Sequence, residues 1–235
     1  MAEEHPLPGG RTALSVVRVA QTVRRTPAAN DEFARALLLH LERVGFEATP
    51  RFLGVDDAGR RVLSHIPGEV PAELGHHEDK TLAGAARLIR RYHDATTGLF
   101  AAAGWRALGI EIAAHNDLSP CNAVFRGHVP VAIIDFDAAA PGSRRWDLGY
   151  AAWLWLDLGN EERYAPDEQI RRLTLFVESY GAPAALRQIA RAAVDRQTLL
   201  EIEGMRTGKA EMARWAAKCR GATQALVALL DGMIG

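Results

Sequence analysis

The stretch His115-Asn116-Asp117-Leu118-Ser119-Pro120-Cys121-Asn122, with Ile133-Ile134-Asp135-Phe136-Asp137 shortly after it, decides how this chain folds. Asp117, Asn122 and Asp135 are small oxygen-bearing side chains. Two of them flank a loop and the third ends an apolar strand. A strand end is rigid, and a loop between short strands can turn its side chains inward. Three such oxygens meeting at one point suit a hard divalent ion such as Mg²⁺, which prefers oxygen ligands and keeps substrate phosphates in its shell. Taken singly, each has a plainer use. Asp and Asn in loops make turns, and Asp135 alone suffices to cap the segment after it.

Around this core the pattern changes character once. Ser15–Val19 and Thr22–Arg25 read as two short β-branched strands with a tight connection. Asn30 or Asp31 caps a helix to about Val44, with Phe33, Leu37, Leu38 and Leu41 at helical spacing and Gly45 as its stop. Strands follow at Pro50–Val55 and Arg61–Ile66, joined by the turn Asp56-Asp57-Ala58-Gly59. Beyond Pro71 helices dominate: Asp79–Thr96, then segments near 147–158, 167–180, 183–206 and 209–233. Short strands at Ile110–Ala114, Ala123–Phe125 and Val131–Phe136 hold the two quoted stretches. The expected division is 1–68, a small N-terminal lobe, and 69–235, a larger helical C-terminal lobe.

The order H-x-D-x-x-x-x-N followed by D-F-x resembles the catalytic and metal loops of kinases. With Asp137 in place of the glycine, and Arg145-Trp146-Asp147-Leu148-Gly149 downstream, it resembles the aminoglycoside phosphotransferase and choline kinase superfamily. The motifs span about residues 113–149. The resemblance implies an α+β, bilobal, protein-kinase-like fold with a reduced β-rich N-lobe and a mostly helical C-lobe. It makes 1–68 the nucleotide-binding lobe and 69–235 the catalytic and substrate lobe. It implies transfer of the γ-phosphoryl group of ATP or GTP, with Mg²⁺, to a hydroxyl of a small-molecule acceptor. It makes Asp117 the catalytic base and His115 its brace. Asn122 and Asp135 become the metal ligands, and Asp147 the anchor of the loop. Asp147 before Leu148 also fits a plain helix N-cap, which does not exclude that role. The family's strand lysine falls at Arg24, with Arg25 as second choice. Its helix glutamate falls near Ala34, where Asp31 or Glu32 would substitute. The nucleotide loop shrinks to Gly9-Gly10 and neighbours, and the backbone of Ser64, His65 and Ile66 would meet the purine edge.

Composition limits the alternatives. Lys plus Arg number 28 and Asp plus Glu 29, so nothing suggests a nucleic-acid or membrane-surface partner. Two distant cysteines, Cys121 and Cys219, indicate no disulfide framework and no zinc site. No apolar run reaches the length of a signal peptide or a membrane span, so the expectation is a cytoplasmic protein. Asp157, Glu161, Glu162, Glu201 and Glu203 either hold a cationic acceptor or are ordinary surface carboxylates. His76, His77, Arg163, Arg171 and Arg172 read as solvated, and Trp146, Trp153 and Trp155 as core or as an aromatic wall. Two other functions stay open: a kinase-fold nucleotide- or ligand-binding protein without turnover, and a metal-dependent phosphohydrolase. Acceptor, purine, metal count and oligomeric state are not legible.

Overall fold

The computed structural model describes residues 3–7, 16–27, 29–101 and 103–232. The Gly9-Gly10 loop and Ser15 lie outside them. The N-terminal part is a five-stranded antiparallel sheet, order β1-β2-β3-β5-β4, built from β1 (His5–Pro6), β2 (Val16–Val19), β3 (Thr22–Arg25), β4 (Phe52–Val55) and β5 (Arg61–Ser64). Helix α1 (Asp31–Arg43) buries Ala34, Leu37, Leu38 and Leu41, as its apolar spacing requires. The Asn30 side chain does not cap it; its amide instead donates to the Ala139 carbonyl, across to the C-terminal part.

The remainder is mostly helical: α2 (Asp79–Thr96), α3 (Ala103–Ala107), α4 (Arg144–Leu156), α5 (Pro166–Tyr180), α6 (Leu186–Arg206) and α7 (Ala210–Gly232). Two small antiparallel pairs sit against α2: β6 (Ile112–Ala114) with β9 (Ala140–Gly142), and β7 (Ala123–Arg126) with β8 (Val129–Ile133). This is a bilobal α+β arrangement. The join is stitched by an antiparallel bridge between Glu69 and Phe125, with N–H···O distances of 2.9 and 2.7 Å. Gly68 makes that approach possible, because a Cβ there would lie 2.5 Å from the Phe125 carbonyl oxygen.

The core runs from Leu37 and Leu41 through Tyr92 and Phe136 to Trp153 and Phe176. Trp153 and Trp155 belong to it, while Trp146 is only half-buried. Helices α4 and α6 come unusually close at Gly149, where a Cβ would meet Ala192 at 2.6 Å. That approach carries the next turn of α6 to the loop at 115–122. Two sequence expectations fail locally. Strand β8 stops at Ile133, so Asp135 lies beyond the strand end. Helix α4 starts at Arg144 with Ser143 as its cap, so Asp147 is inside the first turn.

Candidate active site

The loop after β6 and the turn after β8 are tied together by three hydrogen bonds. His115 Nε2 donates to the Ile134 carbonyl (3.0 Å), the Asn116 amide to the Ala138 carbonyl (3.0 Å), and the Ile134 N–H to the Asn122 carbonyl (2.9 Å). His115 Nδ1 accepts from the Asp117 N–H at 3.3 Å, the complement of Nε2 donating to Ile134. Asn122 Nδ2 donates to Asp117 Oδ2 at 2.8 Å and to the Asp117 carbonyl at 2.9 Å. This holds the carboxylate by one oxygen, and the buried Oδ1 has no partner among the described residues. Asn116 (φ +64°) and Asp135 (φ +65°) are both left-handed, a conformation short polar residues tolerate but most side chains do not. Such backbone concentrates at functional sites and costs about 1–3 kcal/mol per residue.

Asp147 holds the loop from below. Its carboxylate is fully buried and accepts from the N–H groups of His115 and Asn116, both at 2.8 Å, and from His93 Nε2 at 3.1 Å. Burial alone would raise this carboxyl; the His93 hydrogen bond and the amide of His115 more than reverse that and hold it below the ordinary 3.8. His93 Nδ1 meets the Tyr180 hydroxyl at 2.8 Å, and that hydroxyl accepts from Arg144 at 3.3 Å. A buried chain of polar groups therefore runs from the surface near Arg144 to the loop. Sequence reading missed His93, whose only signal was its place on the apolar side of α2.

Facing the loop from the N-terminal sheet are two arginines. Arg25 and Arg61 are direct cross-strand partners on β3 and β5, both buried. Arg25 contacts Asp135 Oδ1 at 3.1 Å and also Asp137. Arg61 contacts Asp137 Oδ1 at 2.5 Å and Asp31 at 2.7 Å. Like charges facing across a sheet repel, so the three carboxylates are what make this pair tolerable. The position expected at Arg24 needs correcting: neighbouring strand residues point to opposite faces, and Arg24 turns to Asp56 at 3.3 Å. Asp31, in the first turn of α1, meets Arg61 rather than Arg24 or Arg25. Asp137 was legible as part of the motif but not as a partner of these arginines, and Arg61 had no legible signal beyond its charge.

At the junction, Ser64 N–H donates to Arg51 O and His65 N–H to Gln21 O, both at 2.9 Å. Among the described residues the backbone N–H and C=O of Ile66 make no hydrogen bond, so they are the edge left open. The candidate acceptor carboxylates are mostly paired: Glu162 with Lys218 (2.6 Å), Glu201 with Arg220, Glu203 with Arg206 (both 2.8 Å) and Asp157 with Arg163 (3.4 Å). Two residues read as solvated are not. Arg172 is buried over the Tyr164 ring at 4.5 Å, and His77 stacks on Phe125 at 5.8 Å.

Among the described residues no cluster of three or more His, Cys, Asp or Glu side chains forms a metal site. None of the described helices is long and apolar enough to cross a membrane. No family model matches the sequence. A trifolitoxin immunity protein from Rhizobium leguminosarum bv. trifolii is 32% identical over 165 residues, 66% of this chain; the chain spans 62% of that relative's length. A choline/ethanolamine kinase family protein from Mesorhizobium loti superposes with a TM-score of 0.63 at 18% identity, covering 95% of this chain and 87% of the other. An ethanolamine kinase from Plasmodium vivax gives 0.69 at 12% identity, over 94% and 82%. The GDP complex of wild-type aminoglycoside 2'-phosphotransferase-IIIa gives 0.58 at 14% identity, over 96% and 92%. A two-lobed chain with a loop pinned by Asp147 and a sheet arginine on Asp135 thus has the fold of the aminoglycoside phosphotransferases and the choline/ethanolamine kinases.

Proposed function

We propose that this chain transfers the γ-phosphoryl group of a magnesium-bound nucleoside triphosphate to a hydroxyl of a small-molecule acceptor. The observation that carries the reading is the hydrogen bond from Asn122 to Asp117. It holds the Asp117 carboxylate by Oδ2 and leaves the buried Oδ1 without a partner among the described residues, at a loop that is stitched to the Asp135 turn. In this reading Asp117 Oδ1 takes the proton of the acceptor hydroxyl. The acceptor oxygen attacks the γ-phosphorus, and the bond to the β–γ bridging oxygen breaks to leave a nucleoside diphosphate. Positioning and charge neutralisation do most of this chemistry.

The residues fit a magnesium site. Asn122 uses its amide nitrogen on Asp117, and Asp135 meets Arg25 and the Asp137 N–H through Oδ1. Asn122 Oδ1 and Asp135 Oδ2 are the hard oxygens that remain, and a magnesium ion bound mainly by phosphates and water asks for one or two. When bound, the ion supplies neutralisation of phosphate charge. Arg25 then exchanges a carboxylate for a phosphate oxygen, for which a guanidinium fork is well shaped. Ile66 offers its backbone to the purine, and ATP and GTP both suit a backbone contact.

Thermal denaturation with Mg²⁺ and ATP or GTP is the test. Nucleotide at a hundred times Kd stabilises by about 2.7 kcal/mol, a rise of several degrees in Tm. The rise is expected to disappear in Asp135→Ala. No rise with either nucleotide at saturation would sink the reading. A second reading, a binding protein of the same fold without turnover, is favoured by the immunity protein among the relatives and by the carboxylates already gripping Arg25. Nucleotide-dependent stabilisation with no phosphorylated product across amino sugars, amino alcohols, macrolides and peptides would select it.

A further inference from the structure

Asn116 has no polar atom to spare. Its N–H donates to Asp147 and its Nδ2 to Ala138 O. Its Oδ1 accepts from Trp146 Nε1 at 3.2 Å and from Arg196 Nη1 at 3.3 Å, and its carbonyl accepts from Arg196 Nη2 at 2.7 Å. Arg196 comes from the middle of α6, 80 residues away in sequence. Its guanidinium lies 4.7 Å from the centroid of Trp146 and 4.2 Å from that of Tyr150, and the residue is only 9% exposed.

A buried guanidinium is costly unless its geometry and hydrogen bonds are good. Among the described residues no carboxylate pairs with Arg196; Asn116 and the rings of Trp146 and Tyr150 hold it. Burial lowers its pKa, opposed by Tyr150, Asp147 and Asp117. A mere packing element of this volume would be better served by Leu or Met. What the guanidinium does that an apolar side chain cannot is grip both oxygens of a left-handed residue. That residue immediately precedes Asp117, so its backbone angles set where the Asp117 carboxylate points.

We infer that Arg196 is a positioning residue: with Trp146 it clamps Asn116 in the left-handed conformation and so aims Asp117 at the acceptor. The assignment rests on the reading of Asp117 as the base. Helix α6 thereby couples the wall of the helical lobe to the loop, through the close approach at Gly149.

The test is Arg196→Met, with Arg196→Lys and Trp146→Phe beside it, and none of its readouts needs the acceptor. Cys121 shares the loop and is partly exposed outside any disulfide, whereas Cys219 is buried. Iodoacetamide labelling resolved by peptide mass therefore reports loop and core separately. Arg196→Met is expected to label Cys121 roughly tenfold faster, as local opening without global unfolding does. Cys219 labelling should be unchanged, and the Trp146 indole N–H and Asp117 carboxyl carbon resonances should move. Arg196→Lys keeps one donor and restores them in part. Should Arg196→Met fail to fold, Trp146→Phe, which deletes only one donor to Asn116, is expected to shift the Asp117 resonance the same way by less. Unmoved Asp117 and Trp146 resonances would overturn the inference, as would equal acceleration at Cys219. A protein that binds no nucleotide fails the phosphotransfer reading instead and leaves these readouts intact.

Discussion

The two sides of the junction between the sheet and the loop are built on different principles. On the helical side, loop 115–122 is held by directional hydrogen bonds to buried groups: Asp147 on two amides, His115 on Ile134, and Arg196 on Asn116. On the sheet side, Arg25 and Arg61 are held almost wholly by carboxylates, Asp31, Asp135 and Asp137. The first set has no ready substitute for any partner, because an orphaned buried amide loses its water as well. The second set trades easily, since a guanidinium accepts phosphate in place of carboxylate. A site that must keep one geometry while exchanging a charged ligand benefits from having one side of each kind.

Substitutions break this comparison in graded ways. The largest effect belongs to Asp117→Ala, which is expected to lower turnover by about 10²–10⁴-fold, the usual range for losing a general base, with nucleotide-dependent stabilisation retained. Turnover kept at the parent rate would remove Asp117 from the chemistry.

Asp147→Ala comes next and acts on the fold. It orphans two buried amides and a buried histidine, so a loss of about 3–5 kcal/mol is expected by chemical denaturation. The pH dependence has a definite sign. The folded carboxyl titrates below its ordinary 3.8, so the native state binds fewer protons than the unfolded one. Its stabilisation is complete above the unfolded value and declines as pH falls through 3.8 and below. The parent protein should therefore lose more stability than Asp147→Asn as pH falls from 5 to 3, with most of the loss below 3.8. Parallel curves would contradict the assignment.

The smallest effect separates two neighbours. Arg25→Met is expected to weaken Mg²⁺-nucleotide binding by roughly tenfold, whereas Arg24→Met, on the opposite face with Asp56, should change it by less than about twofold, the ordinary range for a surface pair. Isothermal titration of both variants decides; equal losses would mean that the strand faces have been assigned wrongly.

The proximity of the two quoted stretches was legible because it is local. Asp117, Asn122 and Asp135 stand in an order and spacing that short strands and turns convert directly into proximity, and the alternation of Leu37, Leu38 and Leu41 dictates helix α1. Asp147 was visible as an anchor only through its motif, and the helix boundary that rules out its capping role was not.

What the chain alone could not reveal are the partners that meet from far apart. Arg24 and Arg25 differ by half a strand period, and only the docking of the sheet decides which of the two faces Asp135. Arg61, His93 and Arg196 look like ordinary charged or polar residues until β5, α2 and α6 are packed around the loop. The sequence by itself brings the loop of Asp117 and Asn122 next to the turn of Asp135. Tertiary structure decided which cations and which histidine attend them, because long-range ion pairs and buried hydrogen bonds depend on the relative placement of whole elements, and that placement is set by packing contacts such as Gly149 against Ala192 rather than by any local run of residues.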